Sequence, residues 1–323
     1  MKKSTGITTR RTAITAAAAG IIAVAARSGR SQQPSNAARE DNAGAASTAE
    51  GTLRGKTALV TGSTDGLGRV VATQLAALGA TVIVHGRNSE RGAEVVRGIE
   101  NDGRGSAVFY RADLASLEEV RGLADIIIER HDRLHILINN AGIWSNAGDD
   151  SRRTSADGHE LVFAVNYLSG YLLTHRLLPL MRRSAPARII NVASLAQQPI
   201  DFDDIMLTRG FSSSRAYAQS KLAQVLFTFD LAHEVADDGI TANSLHPATL
   251  MNTTMVEKAG ATPRSSVDEG ARAVMQLAAS PQLEGRTGLY FNGMNEARAN
   301  AQAYDEEARA KLRALSVELT GIR

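Results

Sequence analysis

The 323-residue sequence contains no cysteine and few aromatic residues, which make up 4% of the chain and include a single tryptophan. Without cysteine the chain cannot form disulfides, use a thiolate nucleophile, bind zinc through sulfur or carry a lipid on an N-terminal cysteine. The longest apolar run falls short of the ~20 residues that a membrane-spanning helix needs. The seven histidines lack the spacing of metal ligands, so no metal site is predicted. These absences exclude cysteine enzymes, disulfide scaffolds and multi-span membrane proteins.

An excess of either charge is also missing, because 36 basic and 34 acidic residues give a net charge of +2. Four of the positive charges, Lys2, Lys3, Arg10 and Arg11, fall within the first 25 residues, where no acidic residue offsets them. Without that segment the net charge changes from +2 to −2. The rest of the chain therefore lacks the basic excess of a nucleic-acid-binding protein, and no nucleic-acid partner is predicted.

The N-terminal segment has the layout of an export signal. The paired Arg10 and Arg11 precede an alanine-rich apolar run, and Ala23-Val24-Ala25 provides a small-x-small cleavage site. The paired arginines resemble the twin-arginine signal, which the export machinery reads. We predict an export signal at residues 1–26, a disordered linker at 27–52 and one folded domain at 53–323. The protein would then be periplasmic or extracellular, or cytoplasmic if the signal is not used.

From Leu53 onward, short apolar runs alternate with longer amphipathic stretches. The apolar runs predict strands at Thr57–Thr61, Thr81–His85, Ala107–Arg111, Ile136–Asn139, Arg188–Val192, Thr241–His246 and Leu289–Asn292. The amphipathic stretches predict helices at Leu67–Leu78, Glu90–Asn101, Leu117–Arg130, Leu161–Met181, Tyr217–Ala236 and Val267–Ala279. This alternation indicates a single doubly wound, Rossmann-type α/β domain, with a parallel sheet of about seven strands and helices on both faces. Ligands of such sheets bind beyond the carboxyl ends of the strands.

A glycine-rich segment follows the first predicted strand and opens the first predicted helix. Its candidate cofactor contacts are Gly62, Ser63, Thr64, Asp65, Gly66, Leu67 and Gly68. Glycines here permit a tight turn, close approach of a pyrophosphate and close packing of helix on sheet, and the helix start favours an anion. The strand-to-helix context favours a nucleotide site over a merely structural turn. The spacing G-x-x-x-G-x-G resembles that of the short-chain dehydrogenase/reductase family.

This resemblance continues along the chain and, in the long stretch Leu195–Ala216 with its acidic Asp201-Phe202-Asp203-Asp204 element and in the segment Ser220–Thr228, is greatest to the retinol-dehydrogenase-like branch of the family. It implies further cofactor contacts at Asp113, Leu114, Asn140, Ala141, Gly142, Pro247 and Thr249. The segment after Pro247 departs from the family pattern, because Ala248 stands where glycine is usual and Asn252 where threonine is usual. Thr249, Asn252 and Thr253 therefore all remain candidates for the nicotinamide contact.

Arg87 follows the second predicted strand, where NAD-preferring members of the family place an acidic residue against the ribose 2′-hydroxyl. A guanidinium matches a 2′-phosphate instead, so we predict a preference for NADP(H), with NAD(H) as the alternative cofactor. The other interpretation of Arg87 is a solvated surface arginine.

Tyr217 and Lys221 are four residues apart and therefore share one face of a helix. A nearby cation favours the phenolate, so we expect the pKa of Tyr217 to be lowered, as a general acid/base requires. The family resemblance implies that Ser194 hydrogen-bonds the substrate, that Tyr217 transfers the proton and that Lys221 also holds the nicotinamide ribose. It implies that Asn166 supports a water relay to Lys221, although Asn166 equally fits a satisfied polar residue in a buried helix.

Together these residues predict an NADP(H)-dependent oxidoreductase that interconverts a small-molecule alcohol and a carbonyl compound by hydride transfer, and that could form a homo-oligomer. Trp144 is a candidate wall of the substrate pocket or a packing residue. Two alternatives stay open. One is an NADP(H)-sensing binding protein on the same fold, although a sensor has no physical need for the Tyr217 and Lys221 pair. The other is an epimerase or dehydratase of the same family.

Overall fold

The computed structural model describes residues 52–144 and 151–322. The predicted export signal and all of the predicted linker except Thr52 lie outside the described residues. The strands are β1 (Thr57–Val60), β2 (Thr81–Gly86), β3 (Ser106–Arg111), β4 (Ile136–Asn139), β5 (Ala187–Val192), β6 (Ile240–His246), β7 (Leu289–Asn292) and β8 (Asn295–Ala297). The helices are α1 (Gly66–Ala77), α2 (Ser89–Asp102), α3 (Leu117–Arg130), α4 (Leu161–Phe163), α5 (Ser169–Arg182), α6 (Ser213–Glu234), α7 (Thr254–Lys258), α8 (Val267–Ala279) and α9 (Glu306–Thr320).

The strands form one sheet in the order β3-β2-β1-β4-β5-β6-β7-β8. All neighbours are parallel except β7 and β8, which are antiparallel. The strand order reverses between β1 and β4, the position at which doubly wound sheets bind their ligands. The predicted α/β architecture is confirmed, with one strand more than expected. The sequence did not predict β8, because a polar segment of three residues is too short to show a strand period.

Two hydrophobic cores cover the two faces of the sheet, because successive side chains of a strand point to opposite faces. Leu59 belongs to the core that packs α3, α5, α6 and α9 against the sheet. The next residue, Val60, belongs to the core on the other face, beneath α1, α2 and α8. Both residues are fully buried, so the near-continuous apolar strands follow from a sheet that is covered on both sides.

The predicted long helix at Leu161–Met181 is divided into three pieces. The buried Glu160 caps its start, since its carboxylate accepts hydrogen bonds from the amides of Val162 at 2.9 Å and Phe163 at 2.7 Å. A π-helical turn, Ala164–Leu168, then separates α4 from α5 and contains Asn166. Such turns are frequent at functional sites.

The five-residue α7 was not predicted, whereas the charged stretch Asp305–Arg313 is predicted as a solvated helix face and lies at the start of α9. One side of α9 is not solvated, because it packs against α6 and joins the core through buried Ala308 and Leu312. It is also joined to the π-helical turn by a 2.6 Å hydrogen bond between the hydroxyls of Ser316 and Tyr167. Within residues 52–144 and 151–322, no helix has the length and apolar character needed to cross a membrane.

Candidate active site

A cleft of about 1330 Å³ opens where β1, β2, β4, β5 and β6 end. Most of the predicted site residues line it: Gly62, Thr64, Asp65, Gly66, Leu67, Gly68, Arg87, Asp113, Leu114, Asn140, Ala141, Gly142, Ser194, Tyr217, Lys221, Pro247 and Thr249. The other two, Ser63 and Asn166, are buried and lie behind this lining. The sheet topology therefore brings together segments that are far apart in the sequence, at the edge where such sheets bind ligands.

The glycine loop at one end of the cleft exposes bare backbone. Gly62 has a φ of +65°, a left-handed conformation that glycine adopts without strain. A Cβ at Gly68 would collide with the Gly62 carbonyl and lie 2.5 Å from Nδ2 of Asn140. Asp65 caps α1, its Oδ1 accepting a hydrogen bond of 2.8 Å from the Gly66 amide. A turn with glycine at its points of closest approach, at the start of a 12-residue helix, fits the phosphates of a dinucleotide.

His85, near the end of β2, is hydrogen-bonded to the backbone of this loop. Its Nδ1 accepts a hydrogen bond of 3.2 Å from the Gly62 amide, and its Nε2 lies 3.2 Å from the Ala112 carbonyl oxygen. Only a neutral ring with its proton on Nε2 satisfies both contacts. Burial lowers the pKa of His85 to about 4, which keeps the ring neutral near pH 7.

Two arginines stand at the rim beside the end of β2. The Arg87 side chain is 66% exposed, and its Nη1 lies 3.8 Å from Oδ2 of Asp113. Arg91 was not singled out from the sequence, yet it lines the same cleft, with Nη1 3.3 Å from Oδ2 of Asp65. The two guanidinium groups can hold an anionic group at this end of the cleft.

The segment after β4 is tied to the glycine loop. The Thr61 hydroxyl accepts hydrogen bonds of 3.0 Å from the amides of Asn140 and Ala141. The side-chain amide of Asn140 donates to the Thr61 carbonyl at 2.8 Å. Asn140 therefore fixes the shape of the cleft floor in addition to lining it.

Ser194, Tyr217 and Lys221 meet at the other end of the cleft. Ser194 follows β5, and its side chain hydrogen-bonds the Tyr217 phenol on α6. The Lys221 Nζ atom lies 5.6 Å from the centroid of the Tyr217 ring. Trp144 stacks on the same ring, with centroids 5.3 Å apart and planes 29° apart. The arrangement places a hydroxyl, a phenol and an ammonium together, which is a set that can exchange a proton with a bound oxygen.

Lys221 is held by two uncharged oxygen acceptors, a backbone carbonyl and a side-chain amide. Its buried Nζ donates hydrogen bonds of 2.9 Å to the Val192 carbonyl and of 2.9 Å to Oε1 of Gln224. Burial lowers the pKa of Lys221 to about 7. The neighbouring Ser194 is fixed through its backbone carbonyl, which accepts hydrogen bonds from the Tyr290 hydroxyl at 3.0 Å and from Nε2 of Gln197 at 2.7 Å.

The expectation of a lowered pKa for Tyr217 is wrong for this structure. Burial raises the pKa of Tyr217, and the hydrogen bond with Ser194 only partly opposes that rise. The physical reason is that burial disfavours the charged phenolate and also disfavours the charged form of Lys221. The phenol is therefore a proton donor at neutral pH.

Asn166 clamps the backbone beside the cleft. Its Oδ1 accepts from the Ile143 amide at 2.7 Å, while its Nδ2 donates to the Ile143 carbonyl at 3.1 Å and to the Ser220 hydroxyl at 3.0 Å. A Cβ at Gly142 would lie 3.4 Å from both Oδ1 of Asn166 and Nζ of Lys221. The Asn166 side chain thus has the satisfied, buried character that the sequence left open.

The segment after β6 places two of the three nicotinamide candidates on the cleft, Thr249 and Thr253. The Thr249 hydroxyl lies 3.1 Å from Nε2 of His246, whose pKa burial lowers to about 4. The Asn252 amide donates to the Ser265 carbonyl at 3.1 Å, and Asn252 is not among the residues that line the cleft in the described part of the chain. Thr254, which was not a candidate, donates its hydroxyl to Oδ2 of Asp65 at 2.8 Å.

Sequence reasoning missed the residues that act through hydrogen bonds between distant segments: His85, Arg91, Gln224, Thr254 and Tyr290. Only His85 left a usable signal, because it is a polar residue that directly follows the apolar run of its predicted strand. Among the described residues, no group of histidine and acidic side chains has the geometry to hold a metal ion.

Comparison with known proteins gives consistent matches. Residues 56–264 match the model of the family described as short chain dehydrogenase. Human retinol dehydrogenase 13 is 36% identical over 298 residues, covering 86% of this chain and 88% of that protein. A solved structure of an uncharacterized protein from Mycobacterium Paratuberculosis superposes with a TM-score of 0.70 at 29% identity, covering 84% of this chain and 95% of that one. A short chain dehydrogenase from Burkholderia cenocepacia, solved in complex with NADP, has a TM-score of 0.61 at 30% identity, covering 75% of this chain and 97% of that one. The chain therefore belongs to the short-chain dehydrogenase family and is an oxidoreductase with retinol-dehydrogenase-like relatives.

Proposed function

We propose that the protein is an NADP(H)-dependent oxidoreductase that interconverts an alcohol and a carbonyl compound, with Tyr217 as general acid/base. The observation that carries this proposal is the meeting of Ser194, Tyr217 and Lys221 at one end of a cleft whose other end is the bare glycine loop. When bound, the nicotinamide supplies or accepts the hydride, while the protein orients the reactants and moves the proton.

In carbonyl reduction, Tyr217 gives its phenolic proton to the oxygen of the substrate as the carbon receives the hydride. The product is an alcohol, and the phenolate that remains is stabilised by the Ser194 hydroxyl and by the Lys221 ammonium. The raised pKa of Tyr217 keeps it protonated and ready to donate. In alcohol oxidation the same proton moves from the substrate hydroxyl to the phenolate, as microscopic reversibility requires.

The test of this chemistry is to assay the wild type and Tyr217→Phe with a panel of carbonyl compounds and alcohols, following nicotinamide absorbance. We expect Tyr217→Phe to lower kcat by on the order of 10²–10⁴, the usual contribution of general acid/base catalysis. NADPH binding, followed by its fluorescence, should stay nearly unchanged. Substantial turnover by Tyr217→Phe would refute the assigned role. Wild-type binding of NADPH with no turnover on any compound would favour a sensor, and an isomerised product without net cofactor turnover would favour an epimerase.

The preference for NADP(H) is proposed from the two rim arginines, with support from a relative that was solved in complex with NADP. Arg87→Ala should raise KM for NADPH by about tenfold or more, because a charge-assisted hydrogen bond contributes roughly 1.5–3 kcal/mol. KM for NADH should change little. Arg97→Ala, which removes an exposed arginine further along α2, is the matched control. Equal effects of Arg87→Ala on the two cofactors would overturn the preference.

The substrate end of the cleft favours an apolar molecule. Trp144 stacks on the Tyr217 ring, Val162 packs in the same apolar cluster as Tyr217, and Leu195 beside Ser194 is 50% exposed and offers apolar contact. Together with a relative named retinol dehydrogenase, this lining supports an apolar alcohol or aldehyde as substrate. In a series of aldehydes of increasing chain length, kcat/KM should rise with length. A preference for the shortest, most polar aldehydes would contradict this.

Export through the twin-arginine pathway is proposed from the sequence alone. Because the cofactor is made in the cytoplasm, an exported reductase has to leave folded and loaded, which suits a pathway whose signal is read as paired arginines. The full-length chain with a C-terminal tag should fractionate outside the cytoplasm, and replacement of Arg10 and Arg11 by lysine should retain it inside. An uncleaved cytoplasmic wild-type product would overturn the proposal.

A further inference from the structure

Gln224 lies one helical turn after Lys221 and touches it directly. Its Oε1 accepts a hydrogen bond of 2.9 Å from Nζ of Lys221, and its side chain is 3% exposed. The second acceptor of Nζ is the Val192 carbonyl, also at 2.9 Å, at the end of β5. An ammonium group has three N–H donors, so these two bonds fix its direction and leave one donor for the cleft.

Both acceptors are uncharged, which matters for a cation that is 4% exposed. Burial lowers the pKa of Lys221 to about 7, and no carboxylate of residues 52–144 or 151–322 contributes to that shift. Among the described residues, the titratable groups near this end of the cleft are Tyr217 on α6, His246 on β6, Tyr290 on β7 and Glu160 at the start of α4, and the charged Arg153 and Lys258 also line the cleft. Burial raises the pKa of both phenols and of Glu160 and lowers that of His246, so burial favours the neutral form of each of these groups.

We propose that Gln224 is a positioning residue for the proton transfer: its amide oxygen holds the Lys221 ammonium in place beside the Tyr217 ring. This inference deepens the proposed function, because the ammonium is the group that stabilises the phenolate. A neutral acceptor suits this task. A carboxylate at the same place would form an ion pair with Lys221 and cancel much of the positive field that reaches the phenol.

The proposal makes opposite predictions for two substitutions. Gln224→Leu replaces the acceptor with an apolar side chain of similar size. The protonated form of Lys221 then loses a charge-assisted hydrogen bond. We expect its titration midpoint to fall by about 1 pH unit. Gln224→Glu places a negative charge against the ammonium, and the midpoint should rise by about 1 to 3 pH units. A merely structural role for Gln224 would lower stability in both variants without moving the midpoint in opposite directions.

The direct measurement is NMR titration of the full chain labelled with ¹³C at the lysine ε-carbons, first alone and then loaded with NADP⁺. The few lysines of the sequence keep the spectrum simple, and Lys221→Arg identifies the Lys221 signal. The matched control is Gln219→Leu, because Gln219 is a buried glutamine on the same helix that bonds Ile205 and Asp201 rather than Lys221. It should leave the Lys221 midpoint unchanged.

Activity supplies the second readout. The alkaline limit of the pH profile of kcat should move down in Gln224→Leu and up in Gln224→Glu, with KM for NADPH changing less than kcat. If Gln224→Leu does not fold, Gln224→Asn, whose shorter amide draws the oxygen back from Nζ, should shift the midpoint in the same direction by a smaller amount. Unchanged midpoints in the folded variants, or midpoints that move the same way, would overturn the inference. Because the NMR titration needs no turnover, it separates failure of this inference from failure of the proposed oxidoreductase chemistry.

Discussion

The two ends of the cleft are built by different means. At the phosphate end, three glycines within seven residues clear space for a ligand, and the crucial property is the absence of side-chain atoms. At the catalytic end, Ser194, Tyr217 and Lys221 are held in place by hydrogen bonds, one of which reaches Tyr290, 96 residues along the chain. The phosphate end should therefore be damaged most by adding atoms, and the catalytic end by removing hydrogen bonds.

The largest effect is expected from adding a methyl group at the phosphate end. In Gly68→Ala the new Cβ collides with the Gly62 carbonyl, so the loop has to shift. We expect the Kd for NADP⁺ to rise by on the order of 100-fold, since overpacking costs about 1–3 kcal/mol or more. The control is Gly98→Ala on α2, where a Cβ meets open space and should raise stability by roughly 0.5–1 kcal/mol. Unchanged cofactor affinity in Gly68→Ala would show that the cradle is not sterically defined.

A second experiment tests whether the phosphate end also depends on a hydrogen bond, the one between His85 and Gly62. The pKa of His85 is about 4 in the folded protein, against 6.5 as its ordinary value. Between pH 6.5 and 4 the unfolded chain therefore binds more protons than the folded protein. The contribution of His85 to the free energy of unfolding is complete above pH 6.5 and is lost as the pH drops toward 4. Over this range the titration of His85 lowers the free energy of unfolding by about 3 kcal/mol.

Urea unfolding of wild type and His85→Asn across this pH range measures that contribution. Asn offers an acceptor to the Gly62 amide but does not titrate, so its stability should fall less steeply with acidification. The carboxylates and His246 titrate in both proteins and cancel in the difference. Parallel curves for the two proteins would contradict the assignment of His85 as a neutral support of the loop.

At the catalytic end, Tyr290→Phe removes one of the two hydrogen bonds to the Ser194 carbonyl. A buried carbonyl that loses one of two donors costs about 1 kcal/mol, and the less firmly held Ser194 should lower kcat by roughly 5- to 10-fold. NADPH binding should be unaffected. The control, Tyr110→Phe, removes a comparable hydroxyl from β3, where it bonds His131 at 3.1 Å. Equal kcat values in the two variants would mean that Ser194 does not depend on Tyr290.

The contrast between the two ends also explains what the sequence could reveal. The glycine spacing, the apolar strands and the Tyr217 and Lys221 pair are local patterns whose meaning is set within one turn or one strand, so the doubly wound fold and most cleft-lining residues could be predicted. Ser63 was assigned to the cofactor because it belongs to the loop, but its hydroxyl turns inward and donates to the Val60 carbonyl at 2.7 Å. A local pattern places a residue on a segment without giving the direction of its side chain.

The features that could not be predicted depend on contacts made only after folding. Helical spacing shows that Tyr217 and Lys221 share a face, but not how deeply the fold buries them, and burial is why the predicted pKa shift of Tyr217 was wrong. The π-helical turn around Asn166 was missed for a related reason, because the apolar pattern of Leu161–Met181 continues through it without interruption.

One hydrogen bond ties α7 to the glycine loop, and its removal should have the smallest effect. The Thr254 hydroxyl, at the start of α7, donates to Oδ2 of Asp65 in the glycine loop at 2.8 Å. Thr254→Val keeps the shape of the side chain but breaks this link, which at a partly exposed site is worth about 0.5–1 kcal/mol. We expect NADP⁺ to dissociate about 2- to 5-fold faster in stopped-flow displacement, with kcat/KM for the substrate changing less. Thr254→Ser retains the hydroxyl and should dissociate at the wild-type rate. If both variants release NADP⁺ equally, α7 does not hold the cofactor through Asp65.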